Sequence, residues 1–460
     1  MSQRITSKIK SALRYSVMDG VANAIMLGVG EQYVLAYAIF MAASDFQLSI
    51  IATLPILIAS IMQLYSIQLM HKMKSRKKIV ILFAAIQALT WVPIAILYNL
   101  NNGQIPSLVF FVTLYWAFGL TASPVWTSWM GDLVPIGNRG NFFGHRRVAT
   151  AFAVFISFII GGLILNHAKN TLGNAYIGFA TIFGLAMVAR LFSVVFLSKQ
   201  YEPKLIIRKK DEFTFKDFLF HFTKRFKKGH FNTLVLYLSF ISFAIYLSSP
   251  FIVAFMFKAL NFTYLQYVIA IALNLVIQMI MFPIWGKLSD RYGALTVLKF
   301  TGILMAFNPI LWVFASSLHT VILIQLYGGF AFSGFALSSF SFIMETTSRE
   351  KRARAMSYYA LINGIFIFLG SITGALLIQI LEKANLQSLP IIGTIFWSHY
   401  IPLFIISTLL RLIFGIILLP KLKYVKKYAK ISYKDLAIQV ISSIPGKGMH
   451  IHASVHNPKK

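Results

Sequence analysis

About twelve apolar runs of some twenty residues follow one another through this chain, and no other feature constrains its fold as strongly. Each run is long enough to cross a hydrocarbon core of ~30 Å as a helix. The first six lie at about 17–41, 46–69, 79–99, 106–130, 147–167 and 174–197. The second six lie at about 231–257, 264–286, 294–316, 319–343, 356–381 and 397–419. Only 12% of the residues are charged, against roughly 25% in a soluble domain. The expected fold class is all-α, a polytopic membrane protein of about twelve transmembrane helices.

The formal net charge of +30 raises the question of nucleic-acid binding, and the position of the charges answers it. Basic residues gather in alternate loops: His71, Lys72, Lys74, Arg76, Lys77 and Lys78, then Lys199 to Lys228, then the tail from Lys421. The intervening loops carry few charges, among them Asp45, Lys169, Lys258, Glu382 and Lys383. This is the positive-inside pattern. It places both termini in the cytoplasm, requires an even number of spans, and assigns the charge to the bilayer surface rather than to a nucleic acid. A basic tail can also touch anionic lipid. The first run follows Arg4, Lys8, Lys10 and Arg14 and lacks a short h-region with a small-residue cleavage site, so it is expected to stay as a span. There is no Cys, which excludes disulfides, thiol catalysis and Cys metal sites.

One internal stretch, Ser198 to His230, is polar, of mixed charge, and lacks membrane character. It divides the chain into a basic N-terminus (1–16), a first six-helix bundle (17–198), a cytoplasmic loop (199–230), a second bundle (231–420) and a basic tail (421–460). Within the loop, Phe213, Phe215, Phe218 and Phe220, with neighbouring Lys, make a pattern suited to an amphipathic helix on the membrane surface. The two halves read as a repeat. Asp132, Arg139 and Gly140 recur about 213 positions later as Glu345, Arg352 and Ala353, and Gly161-Gly162-Leu163 recurs as Gly374-Ala375-Leu376. Arg190-Leu191 and Arg411-Leu412 stand at a similar spacing.

Between two apolar runs the chain reads Trp285-Gly-Lys-Leu-Ser-Asp-Arg-Tyr-Gly293. Gly286, Asp290, Arg291 and Gly293 are expected to make a tight charged turn at a water-facing boundary, because Asp and Arg are costly in lipid. This segment resembles the loop signature of the major facilitator superfamily. The paired carboxylate–Arg loops, the twelve spans and the central loop are similar to that family too, over about 17–420. The resemblance implies two pseudo-symmetric six-helix bundles around a central cavity that opens alternately to each side. It implies that spans 1, 2, 4, 5, 7, 8, 10 and 11 line that cavity. Two departures stand out. In the first-half copy of the loop Gln68 replaces the Gly and Lys72 the Asp. Span 5 reads Ser157-Phe158-Ile159-Ile160-Gly161-Gly162, without the Gly-Pro pair of the family's drug–proton antiporters.

The charged span ends are expected to latch the cytoplasmic side: Asp290, Arg291, Asp132, Arg139, Glu345 and Arg352, with Arg146 and Arg147 placed to pair with Asp132. In span 1, Asp19, Asn23, Met26, Gly30, Tyr33 and Tyr37 fall on one helical stripe, which should face the cavity. Glu31, with Gln32 beside it, lies about 120° off that stripe on an ideal helix, and the neighbouring Gly residues can re-aim it. A carboxylate at membrane depth is costly and is a functional candidate. Glu31, with Asp19 second, is therefore expected to carry a coupling proton or a substrate amine. Arg190 and Arg411 are expected at the periphery, snorkelling to the cytoplasmic edge.

The remaining cavity candidates are Gln63, Tyr65, Trp116, Thr121 and Trp126 in the first half, and Tyr246, Asn274, Gln278, Tyr327, Ser333 and Asn363 in the second. Aromatic walls with a few amides suit a small organic solute. A phosphate or sulfate would want a cation in the central spans, where none is expected. Scattered His residues make no metal site, and no phosphate-cradling loop supports ATP-driven pumping, so neither a cofactor nor an enzymatic activity is expected. The sequence thus reads as a monomeric, proton-coupled secondary transporter of a small organic solute in a cytoplasmic membrane. The alternatives are a multidrug exporter of the same fold and a non-transporting membrane receptor.

Overall fold

The computed structural model describes residues 2–99, 104–135, 139–203, 230–347, 352–384, 397–424, 428–429 and 431–443. Every regular element among them is helical. The first half holds α1 (Ser2–Val29), α2 (Val34–Phe40), α3 (Asp45–Gln63), α4 (Ser66–Met73), α5 (Arg76–Leu89), α6 (Trp91–Ile96), α7 (Gln104–Leu133), α8 (Arg139–Asn170) and α9 (Ala175–Ser198). The second holds α10 (His230–Tyr246), α11 (Ser249–Ala254), α12 (Tyr264–Tyr292), α13 (Ala294–Leu311), α14 (Leu318–Thr346), α15 (Arg352–Ala384), α16 (Ile401–Leu418) and α17 (Tyr433–Ser442). The Phe213–Phe220 pattern lies outside the described residues.

Among the described residues, 11 helical segments are long and apolar enough to cross a membrane. The expected first span is present but interrupted: α1 and α2 are separated by a 3-10 turn at Glu31–Tyr33. With it, the described chain accounts for the twelve expected runs. Lipid offers backbone amides and carbonyls no partner, which is why apolar runs of this length become helices. Helix starts are marked by side chains that accept from free amides. Ser44 with Gln47, and Ser317 with Thr320, form capping boxes. Asn174 caps α9 and Ser75 caps α5.

The helices overrun the expected spans, most clearly at the signature segment. Gly286 to Tyr292 is not a turn: α12 carries through to Tyr292, and Gly293 alone, with φ +88, reverses the chain into α13. Lys287, Asp290 and Arg291 are exposed on that last turn. Charged residues beyond the lipid edge do not stop a helix, so the apolar run underestimates its length. Gly293 is the residue that requires glycine, because side chains rarely adopt that backbone conformation. A Cβ at Gly286, by contrast, would meet nothing within 4 Å.

Close helix contact depends on two other glycines. A Cβ at Gly370 would stand 2.2 Å from the Phe243 carbonyl oxygen, and one at Gly374 2.1 Å from that of Leu247. The two glycines are four apart on α15, so small residues there let two backbones touch. Gly374→Leu is expected to lower stability by about 1–3 kcal/mol through overpacking. Gly286→Ala should stay within about 0.5 kcal/mol of wild type. Thermal unfolding in detergent checks both, and equal losses at the two positions would contradict the packing account.

The chain divides into two compact units. The first comprises Met1–Lys227, Ser242–Ala272 and Ser357–Leu403; the second comprises Lys228–Ile241, Leu273–Met356 and Phe404–Lys460. In the first, Ala12, Val80, Trp129, Met130 and Leu197 belong to one buried apolar cluster. In the second, Trp285, Leu288, Tyr292 and Val297 form another with Leu436 and Val440 of α17. Part of the basic tail is therefore a packed helix, and its Tyr428 ring lies against Gly293.

Candidate functional site: a charged cavity in the first unit

A cavity of about 380 Å³ opens among α1, α5, α7, α8 and α9. Its walls bring together seven of the expected residues: Asp19, Asn23, Met26, Glu31, Trp116, Trp126 and Arg146. It is within the size range of sites for small organic molecules. The 3-10 turn explains how Glu31 reaches it. α1 ends at Val29, and the tighter turn changes the angular step per residue, which swings Glu31 toward the side of Asp19, Asn23 and Met26. There its carboxylate accepts from the Tyr115 hydroxyl at 2.8 Å.

The same turn removes Tyr33 and Tyr37 from the cavity face, contrary to the simple helical wheel. Both are fully buried. The Tyr33 hydroxyl donates to the Phe158 carbonyl, and the Tyr37 hydroxyl accepts from the Tyr98 amide at 3.2 Å. These tyrosines pack helices together. Gln32 is held through its backbone, its carbonyl accepting from the Tyr267 hydroxyl at 3.1 Å.

Asp19 is 3% exposed and sits at the centre of a polar chain. Its Oδ1 accepts from Ser193 Oγ at 2.6 Å, and Ser193 Oγ in turn accepts from Arg190 Nη1 at 2.9 Å. Its Oδ2 lies 3.5 Å from Arg146 Nη2. Arg146 also donates to the Ser16 carbonyl at 3.0 Å, and its guanidinium lies 4.3 Å over the Trp126 ring. Two expectations are corrected here. Arg146 pairs with Asp19, not with Asp132. Arg190 does not snorkel: it is 8% exposed and lines the cavity. The cavity therefore holds two guanidiniums where no cation was expected. Ser193, three residues after Arg190 and so on its helix face, was the readable sign of this.

Asp132 has a different partner altogether. Its Oδ2 accepts from Arg76 Nη1 at 2.6 Å. Arg76 is 1% exposed and also donates to the carbonyls of Ser128 (3.2 Å) and Pro203 (3.0 Å), while its amide donates to Glu202 Oε1 at 2.6 Å. The sequence shows Arg76 only as one charge in a basic loop. Its distinguishing sign is being an Arg among Lys residues, since only the planar guanidinium serves several acceptors at fixed angles.

In the second unit, Glu345 accepts from the Tyr428 hydroxyl at 2.9 Å. Burial, and then the Glu345 carboxylate, push the Tyr428 phenol up to about 12, so it remains a donor at neutral pH. Asn274 Nδ2 donates to Gln325 O at 2.9 Å, and Gln278 Nε2 to Asn274 Oδ1 at 2.6 Å. Tyr327 donates to the Leu304 carbonyl at 2.7 Å. Arg411 is buried and donates to the Met305 carbonyl at 2.9 Å, so it too does not snorkel. Tyr246, Gln63 and Asn363 are half-buried in the first unit, and Asn363 Oδ1 has no hydrogen-bond partner among the described residues. Thr121 turns back onto the Ala117 carbonyl. The side chains of Arg139 and Arg352 lie outside the described residues.

A second charged cluster in the first unit was not expected. Asp45, at the start of α3, accepts from Lys258 Nζ at 2.8 Å and from the Tyr400 hydroxyl at 2.9 Å. His399 Nε2 lies 3.7 Å from Asp45 and 3.5 Å from Glu382. Asp45, Glu382 and His399 offer ligand atoms within 4.8 Å of one another. The Lys258 ammonium already on Asp45 opposes a metal cation there, so the cluster reads as a polar tie between chain segments.

The helices and this cavity define an integral membrane protein built around an internal charged site. Residues 234–444 match the family model of the Major Facilitator Superfamily. Solved transporters share the fold over most of the chain. The nucleoside transporter NupG is 12% identical with a TM-score of 0.64, over 90% of this chain and 99% of that one. A D-xylose–proton symporter is 14% identical with a TM-score of 0.62, over 89% and 97%. An auto-inhibited POT family peptide transporter is 10% identical with a TM-score of 0.69, over 92% and 99%. No curated protein matches the chain's sequence. The second half of the chain thus resembles the Major Facilitator Superfamily in sequence, and the chain as a whole shares the fold of these transporters.

Proposed function

We propose that this protein is a secondary active transporter. It carries a small organic solute across the cytoplasmic membrane by alternating access, as a monomer with both termini in the cytoplasm, and protons drive it through Glu31. One observation carries the reading: a transporter fold holds a cavity in whose wall Glu31 is poised on the Tyr115 hydroxyl, near the Asp19–Arg146–Arg190 chain. A carboxylate there binds and releases a proton at small geometric cost, and its charge changes the cavity seen by the solute. The D-xylose–proton symporter among the proteins of similar fold supports proton coupling.

Control of the cytoplasmic side is assigned to the charged span ends. Asp132 with Arg76, Glu345 with Tyr428, and the Gly286–Gly293 segment with Asp290 and Arg291 are the described members, and Arg139 and Arg352 complete the set. Contacts present in one state and absent in the other need supply only a few kcal/mol to shift the balance. The test is flux. Purified protein in proteoliposomes with an acidic exterior should accumulate a bound solute above equilibrium, and a protonophore should abolish the accumulation. A solute that binds and stabilises the protein without crossing the membrane would make it a receptor instead.

A further inference from the structure

The charged cluster around Asp45 stands at the end of the helices opposite the basic loops, and every group in it belongs to the first compact unit. Asp45 opens α3, in the first half of the sequence, yet residues of the second half hold its carboxylate. Lys258 Nζ donates to Oδ1 at 2.8 Å. The Tyr400 hydroxyl lies 3.0 and 2.9 Å from the two oxygens. Lys258 Nζ also reaches the Ala43 carbonyl at 3.5 Å. One carboxylate thus fastens the turn before α3 to groups 213 and 355 positions away along the chain.

The backbone on both sides of this tie departs from regular geometry. Lys258 sits in a π-turn, Phe255–Ala259, which follows α11 and closes with the Leu260 amide on the Phe255 carbonyl at 3.0 Å. A π-turn holds one residue more than an α turn, and such turns gather at functional sites. Ala42, with φ +58, and Asn261, with φ +52, take the left-handed conformation that residues other than glycine rarely adopt. Strain of this kind persists only where the surroundings hold it. Here the Lys258 contacts with Ala43 and Asp45 join the two strained segments.

The same π-turn closes the layer beneath. The Phe257 ring lies 5.6 Å from Tyr264 and 5.1 Å from Tyr267, both of α12. Tyr267 lies 6.4 Å from Tyr33 and donates to the Gln32 carbonyl at 3.1 Å, in the 3-10 turn that aims Glu31. One turn along α3 from Asp45, the Ser49 carbonyl accepts from Ser371 of α15 at 3.3 Å. Reverting the π-turn to α removes its surplus residue and rotates the residues within and beyond it by up to about 100°. That rotation takes Lys258 from Asp45 and Phe257 from Tyr267 together. Lys258 and Glu382 are exposed, so water is at hand to replace the polar contacts when the tie parts.

We propose that Asp45 and the Phe255–Ala259 π-turn form a gate on the side of the membrane opposite the basic loops. The gate is shut in this structure, with Lys258 and Tyr400 on Asp45, and it opens when the π-turn reverts to α and withdraws Lys258. The proposal rests on the transporter reading above and adds to it the closure that alternating access requires at this end.

The experiment uses the absence of Cys from the chain, so that one introduced thiol reports on its own surroundings. Ser371→Cys places it against Ser49, fully buried beneath the tie. The readout is the rate of labelling by a membrane-impermeant maleimide in the detergent-solubilised full-length protein, with no solute or gradient present. In that background Asp45→Asn should raise the rate about tenfold, because the closed state loses a charge-assisted pair. Lys258→Gln should also raise it, and the double variant should label no faster than Asp45→Asn alone, because the two groups act as one pair. Deletion of Ala259 leaves an α turn and should raise the rate with Asp45 and Lys258 in place; the two substitutions serve if the deletion does not fold. Ser338→Cys, fully buried in α14 away from the tie, is the control and should label slowly in every variant. Unchanged labelling of Ser371→Cys in any of these folded variants overturns the gate, and so does an equal rise at the control thiol, which would mean general loosening. Solute flux without the labelling changes would remove the gate and leave the transporter standing. The labelling changes without flux of any solute would do the reverse.

Discussion

Glu31→Gln is expected to abolish proton-driven accumulation and leave a folded protein that still binds its solute. Gln matches the protonated carboxyl in shape and can still accept from the Tyr115 hydroxyl, whose bond to Glu31 is 2.8 Å. It cannot release a proton. The variant is thus held in the loaded charge state of the cavity, and exchange of solute across proteoliposomes should persist while the accumulation ratio falls to about one. Its unfolding temperature should correspond to a change within about 1 kcal/mol, since no packing or buried bond is lost. Accumulation that still follows the pH gradient would remove Glu31 from the coupling step.

Arg76→Ala should give the largest stability loss outside the membrane core. The side chain is 1% exposed and joins α5 to Asp132 and Ser128 of α7 and to Pro203 after α9. Its loss strands two carbonyls and a carboxylate. Asp132 is itself half exposed, at 56%, so water takes over part of its need. The expected cost is about 2–3 kcal/mol, below the full penalty for splitting a buried pair. Arg76→Lys should recover only part of it, because one ammonium cannot reach acceptors on both sides. Thermal unfolding of the three proteins decides the matter, and a fully stable Lys variant would show that charge alone is needed.

Legibility in the sequence followed the range of the forces involved. The existence and order of the spans were readable because membrane insertion depends on the apolar length of each segment by itself. Asp19, Asn23, Trp116 and Trp126 were readable as cavity residues because polar and amide groups do not belong against lipid. Arg190 was misplaced for the converse reason. Long basic side chains near a span end usually reach the headgroups, and only a neighbouring helix that presents Asp19 through Ser193 keeps this one inside. Asp132 was given the wrong partner because Arg146 is near it in the chain, whereas Arg76 is near it in space.

By itself the sequence determined an all-helical membrane protein, the order of its spans and the presence of an acid, Glu31, within the first of them, since composition and local periodicity set these one segment at a time. The tertiary structure decided what those residues meet. It broke span 1 so that Glu31 joined the cavity and Tyr33 left it. It brought two arginines to Asp19, and it packed Leu436, Val440 and Tyr428 of the tail against the end of the signature helix and Gly293. Electrostatic pairing and close packing act over a few ångströms in space, whatever the separation along the chain, and only the assembled helices bring those partners within reach.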